Sequence, residues 1–152
     1  MVETYIGSFE ILIVDDEPGD IELIKAAIAD GHFICRSHEA KDGLEAMAFL
    51  RRSKPEFSRA PTPDLVLLDL NMPRMNGRET LKAIKSDPVL ARIPVVVLTT
   101  SDVENDVLQT YDLGAAGFVT KPVDIDKLFH AIHGIEDYWF GIVRNPQRQK
   151  RP

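Results

Sequence analysis

Cysteine is almost absent from the 152 residues: Cys35 stands alone, which excludes an internal disulfide framework. It lies in "HFICRSH", which reads as a weaker strand, so a buried, inert thiol is the expectation. No apolar run approaches the ~20 residues of a membrane-spanning helix. The N-terminus "MVETYIGSFE" lacks a basic segment followed by an apolar one, and the expected compartment is the cytoplasm. Base is also scarce. The net charge of −6 disfavours a nucleic-acid surface, whose affinity needs a positive footprint. The four bases Arg144, Arg148, Lys150 and Arg151 crowd into the last nine residues, 144–152, which read as a solvated, disordered tail. Neither G-x-G-x-x-G nor G-x-x-x-x-G-K-[ST] occurs, so no glycine-rich loop is available to cradle a nucleotide phosphate.

What is present is alternation. Apolar runs ("ILIV", "HFICRSH", "DLVLLDL", "PVVVLTT", "GFVT") are each followed by a stretch of helical periodicity, and a long helix starts near Asp124. In the first helix Asp20 is the expected N-cap and Gly31 the stop. In the second, Leu44, Met47, Ala48 and Leu50 are expected near one buried face. Five β-α units with short connections call for a parallel sheet covered on both faces: α/β, doubly wound, with five strands. The one long connection, "SKPEFSRAPTP", carries three prolines and reads as an irregular surface loop.

In such a sheet, ligands bind beyond the carboxyl ends of the strands. The first strand ends in Asp15-Asp16-Glu17, the third in Asp69, the fourth in Thr99-Thr100 and the fifth in Thr120-Lys121-Pro122. Like charges brought together need a cation. Hard oxygen donors suit Mg²⁺, with Mn²⁺ able to substitute and Ca²⁺ less suited to so irregular a loop. His130 and His133 are three apart on a helix but have no third ligand nearby in sequence. Asp69, mid-sheet, can act as a nucleophile toward a phosphoryl group, giving an acyl phosphate. Lys121 supplies a further positive charge there, and Thr99 a hydrogen bond to a phosphoryl oxygen.

The motifs "ILIVDDE", "LVLLDLNMP", "MNG", "IPVVVLTT" and "GFVTKP" follow in the order and spacing of a known family. Over roughly residues 10 to 135 the chain resembles the receiver domain of two-component response regulators. The resemblance implies the strand order 2-1-3-4-5. It implies phosphorylation of Asp69 by a histidine kinase, with Mg²⁺ held by Asp15 (through a water), Asp16, Asp69 and the backbone carbonyl of Asn71. It makes Thr99 the switch hydroxyl, Lys121 a phosphoryl contact and Phe118 the aromatic that turns inward with Thr99. Thr100 takes a position that is alanine in most of the family, and Asn71 and Ser101 take the two that tune dephosphorylation. The bond to Pro122 is expected to be cis. The only chemistry implied is the protein's own phosphotransfer and autodephosphorylation.

Within the family, "VDDEPGD", "LTTSD", "YDLGA", "TKPVD" and "IEDYWFGIV" resemble small regulators paired with bacterial phytochromes. That resemblance implies a phytochrome-type histidine kinase as partner and a homodimer. With nine residues after 143, no DNA-binding domain is expected, and the receiver is taken as residues 1–143. Ile125, Leu128, Ile132, Ile135, Trp139 and Ile142 step along the last helix as one apolar stripe. Its far end outruns a five-strand core, so Tyr138, Trp139, Phe140, Ile142 and Val143 are assigned to the dimer interface; folding back on the same domain is the alternative. Two other functions share part of the chemistry. A haloacid-dehalogenase-type phosphatase needs an acid two residues after its nucleophile, where this chain has Asn71. A pseudo-receiver binds partners without phosphorylation and usually lacks one of the acids or the lysine found here.

Overall fold

β-Branched and leucine side chains dominate the central runs "ILIV", "LVLL" and "VVVLT", as a pleated surface buried on both sides requires. In the computed structural model the strands are β1 (Phe9–Val14), β2 (Cys35–Ala40), β3 (Leu65–Leu68), β4 (Val95–Thr99) and β5 (Gly117–Thr120). They form one parallel sheet in the order β2-β1-β3-β4-β5, the expected topology. The structure describes residues 8–100 and 104–142, except the side chains at 104, 105 and 142. The basic tail, Val143 and Ser101 lie outside the described residues.

Between the strands run α1 (Pro18–Ala29), α2 (Gly43–Arg51), α3 (Gly77–Ser86) and α4 (Glu104–Asp112); α5 (Ile125–Glu136) follows β5. Strand alternation sorts the core into two layers. Leu12, Val14, Val66, Leu68, Val95 and Val97 face α2 and α3. Ile11, Ile13, Leu65, Leu67, Val96 and Leu98 face α1 and α5. Among the described residues no helix is long and apolar enough to cross a membrane.

Several local readings change. α1 is capped by Glu17, which accepts from the Gly19 amide, because Pro18 is preset for the first helical position; Asp20 therefore lies inside the first turn. Leu44 is exposed, and Phe49 takes its place among the buried residues of α2. β2 begins at Cys35, three residues later than the apolar run suggests. Within the proline-bearing connection Pro55–Phe57 forms a 3₁₀ turn.

The C-terminal stripe is the largest correction. Leu128, Ile132 and Ile135 are buried as expected, but Ile125 is exposed. From Asp137 to Ile142 the chain winds as a π-helix, whose wider turn breaks the 3-and-4 spacing. Phe140 then stacks on Phe9 with ring centroids 4.1 Å apart, and meets Phe33 edge-on at 5.8 Å. Trp139 and Phe140 pack against the α1–α5 layer of their own domain. Of the assigned interface residues, Tyr138 is exposed, the Ile142 side chain and Val143 lie outside the described residues, and Trp139 and Phe140 are half-buried.

Candidate metal and phosphoryl site

The site forms where the strand order reverses. α1 leads from β1 to β2 and α2 leads back past β1 to β3, so the loops after β1 and β3 diverge and leave a crevice. Register puts the acids together: Val14 pairs with Leu68, and Asp15 and Asp69 are the next residue on each strand. Their backbones are joined as well, the Asp69 amide donating to the Val14 carbonyl at 2.9 Å. Carboxylate oxygens of Asp15, Asp16 and Asp69 lie within 4.8 Å of one another. Asp15 and Asp69 are buried and Asp16 is exposed.

Lys121, next after β5, reaches across β4's end to this cluster. Its Nζ donates to Asp15 Oδ2 at 2.7 Å and to Asp20 Oδ2 at 2.8 Å. Burial disfavours the ammonium, but these two hydrogen bonds and the charges of Asp15 and Asp69 together outweigh it and raise the lysine above its ordinary value. Burial also raises the Asp15 carboxyl; the hydrogen bonds from Lys121 and the Glu17 amide pull it down without cancelling the rise, and Asp69 pushes it further up. One ammonium therefore leaves the cluster short of positive charge. Three converging carboxylates with no sulfur or imidazole fit a hard divalent cation such as Mg²⁺ or Mn²⁺.

Asp69 is held by its own turn, where Oδ1 accepts the Leu70 amide at 2.9 Å. Behind it Gly77, first residue of α3, packs so closely that an added Cβ would meet the Asp69 carbonyl and come 2.6 Å from Leu70 Cα. Asn76 caps α3 through a reciprocal capping box with Glu79. Arg74, with φ 63°, donates to Asp42 Oδ2 through Nε at 2.7 Å, and the Gly43 amide donates to the Met75 carbonyl at 3.0 Å. The loop carrying Asn71 is thus tied to the start of α2.

Thr99 is fully buried at the end of β4, paired in register with Thr120. Phe118 is half-buried against the α2–α3 layer. Asn71 is exposed and lines, with Asp16, Asn76 and Arg78, an open cavity of about 520 Å³. The described residues contain no cis peptide bond, so the bond before Pro122 is trans, contrary to expectation. Trans is the intrinsically favoured isomer even before proline, by about 0.5–1 kcal/mol. Sequence reading missed Asp20 as a partner of Lys121. The signal was an acid in the first turn of α1, four residues after Asp16. It also missed Arg74 with Asp42, and Arg78 with Asp106, since ion pairs between separate loops and helices leave no local pattern.

A (βα)₅ sheet with an acid cluster at its switch point and a lysine at the end of β5 is the frame of a phosphorylation-operated signalling module. Residues 11–133 match the response regulator receiver domain, and the chain belongs to that family. It is a response regulator of the two-component type. It is 42% identical over 136 residues to "Response regulator Rcp1" of Synechocystis sp., covering 90% of this chain and 92% of that one. Among solved structures it resembles the phosphorylated cyanobacterial phytochrome response regulator RcpA, with 44% identity, TM-score 0.87, and coverage of 92% of this chain and 99% of that one. It also resembles the Mn²⁺-bound form of Rcp1, with 41% identity, TM-score 0.84, and coverage of 91% and 99%.

Proposed function

We propose that Asp69 accepts a phosphoryl group from a histidine kinase of the phytochrome type. The observation that carries this reading is the convergence of Asp15, Asp16 and Asp69 within 4.8 Å, with Lys121 already seated on Asp15. The kinase class is supported by the phytochrome named for RcpA.

Asp15, Asp16, Asp69 and the backbone carbonyl of Asn71 would hold Mg²⁺, with Mn²⁺ as a substitute. When bound, the ion offsets the charge of the carboxylates and of the phosphoryl oxygens. A carboxylate oxygen of Asp69 forms the new P–O bond as the P–N bond of phosphohistidine breaks, and the leaving imidazole takes a proton from solvent. The phosphoryl group carries about −1.5 to −2 charge. That charge draws the Lys121 ammonium from its acids and the Thr99 hydroxyl into a hydrogen bond. Phe118 follows Thr99 inward and alters the face formed by α4, β5 and α5. Hydrolysis of the acyl phosphate resets the switch, so the protein's chemistry is confined to itself. We place it in the cytoplasm as a homodimer. Of the residues assigned to the interface, Tyr138 is best placed to meet a partner copy, being 52% exposed.

Intact mass after incubation with acetyl phosphate and Mg²⁺ tests the reading. One added phosphoryl group is expected, absent with EDTA and absent in Asp69→Asn. No adduct under any condition, rapid quench included, would favour a pseudo-receiver instead.

A further inference from the structure

The cavity beside Asp16 and Asn71 has a cation of its own. Among the described side chains that line it, Arg78 alone is positively charged. Arg78 lies in the first turn of α3, and its Nη2 is paired with Asp106 Oδ1 on α4. The pair is partly open to solvent, with side-chain exposures of 30% for Arg78 and 18% for Asp106. Lys121, in contrast, is buried and bound to two acids.

An anionic phosphodonor entering this cavity meets Asp16 in its wall, and the Asp16 carboxylate lies within 4.8 Å of those of Asp15 and Asp69. Field reversal by a divalent ion acts at that acid cluster. At the rim, attraction must come from elsewhere. A guanidinium presents five N–H donors in a planar fork, more than one carboxylate oxygen can occupy, and that fork matches phosphoryl oxygens. We infer that Arg78 is a phosphodonor-binding residue, held by Asp106 until an acyl phosphate dianion competes for it. The inference rests on phosphorylation at Asp69 and adds to it a determinant of which small donors the protein accepts.

Opposite effects of the two partners test it. Second-order rate constants for phosphorylation of the full chain are measured with acetyl phosphate, a dianion at neutral pH, and with phosphoramidate, a monoanion. Their ratio cancels the intrinsic reactivity of Asp69. Arg78→Ala should lower the acetyl phosphate constant about tenfold, as for loss of a charged hydrogen bond, and lower the ratio. Arg78→Lys should recover part of both. Asp106→Asn, which releases the arginine, should raise both severalfold. An unchanged ratio in Arg78→Ala would overturn the assignment. So would a fall in both variants, which would mark the pair as a structural tie between α3 and α4. Absence of any adduct in the unaltered protein would overturn the phosphorylation reading and this one together. An adduct there with no effect of Arg78 would overturn this one alone.

Discussion

Lys121 Nζ sits 2.7 Å from Asp15 Oδ2 and 2.8 Å from Asp20 Oδ2, on the acids beside Asp69 rather than on Asp69 itself. The lysine is therefore part of the fold before it is part of any chemistry. Removing one member of a buried ion pair leaves the other uncompensated and costs about 3–5 kcal/mol. Lys121→Ala should lose stability of that order in urea unfolding with EDTA present. Excess Mg²⁺ should restore part of the loss by supplying the missing charge, which the same titration would show.

Gly77→Ala should damage the site from behind. A methyl there meets the Asp69 carbonyl and Leu70 Cα, backbone atoms that have no rotamer to yield. Overpacking of this kind costs about 1–3 kcal/mol. The urea midpoint should fall by that amount and phosphorylation by acetyl phosphate should slow, because the turn that orients Asp69 moves. An alanine variant with unaltered midpoint and rate would show that the loop gives way freely.

The π-helical segment yields a separable pair of outcomes. Phe140 stacks on Phe9, so Phe140→Ala should destabilise the single domain by about 2–3 kcal/mol, less than a fully buried phenylalanine, and it should do so at any protein concentration. Tyr138 is exposed, so Tyr138→Ser should lower the mass measured by light scattering and remove only the concentration-dependent part of the unfolding midpoint, which association of folded copies supplies. Truncation before 138 would confound the two effects, since it removes both a packed ring and an exposed one.

Glu136 gives a pH dependence with a definite sign. It is 1% exposed, its Oε1 is a buried atom without a hydrogen-bond partner among the described residues, and its Oε2 accepts the Cys35 thiol at 3.4 Å. Burial raises its pKa above the ordinary 4.5; the Cys35 hydrogen bond and the charges of His133 and His32 oppose the rise, and Asp137 adds to it. The folded state thus holds this proton more tightly than the unfolded one. Its contribution is fully present below 4.5 and is lost as pH rises through the raised value. Urea midpoints of the parent and Glu136→Gln, from about pH 4 to pH 7, should diverge in favour of the glutamine protein as pH rises. Parallel curves would show that the carboxyl does not titrate in that window.

The strands, their parallel arrangement and the acids at their ends were legible in the sequence, because each depends on local pattern; the order 2-1-3-4-5 came only from the resemblance. Four-to-six-residue apolar runs separated by helical periods admit few arrangements, and a residue directly after such a run must emerge at the sheet's rim. Asp15, Asp69, Thr99 and Lys121 could be placed on that argument. What the chain alone did not decide were matters of which group meets which. Asp20 reads as a cap until Pro18 starts the helix early and turns Asp20 toward Lys121. Trp139 and Phe140 read as unsatisfied apolar surface until a π-turn brings Phe140 onto Phe9, 131 residues away in sequence. Arg78 reads as an ordinary surface arginine until α4 brings Asp106 beside it and the loop after β3 opens a cavity in front of it. Periodicity reports which face of an element is buried; it holds no information on the partner that buries it. That partner is set by the crossing of elements distant in sequence, and so only the tertiary structure decides it.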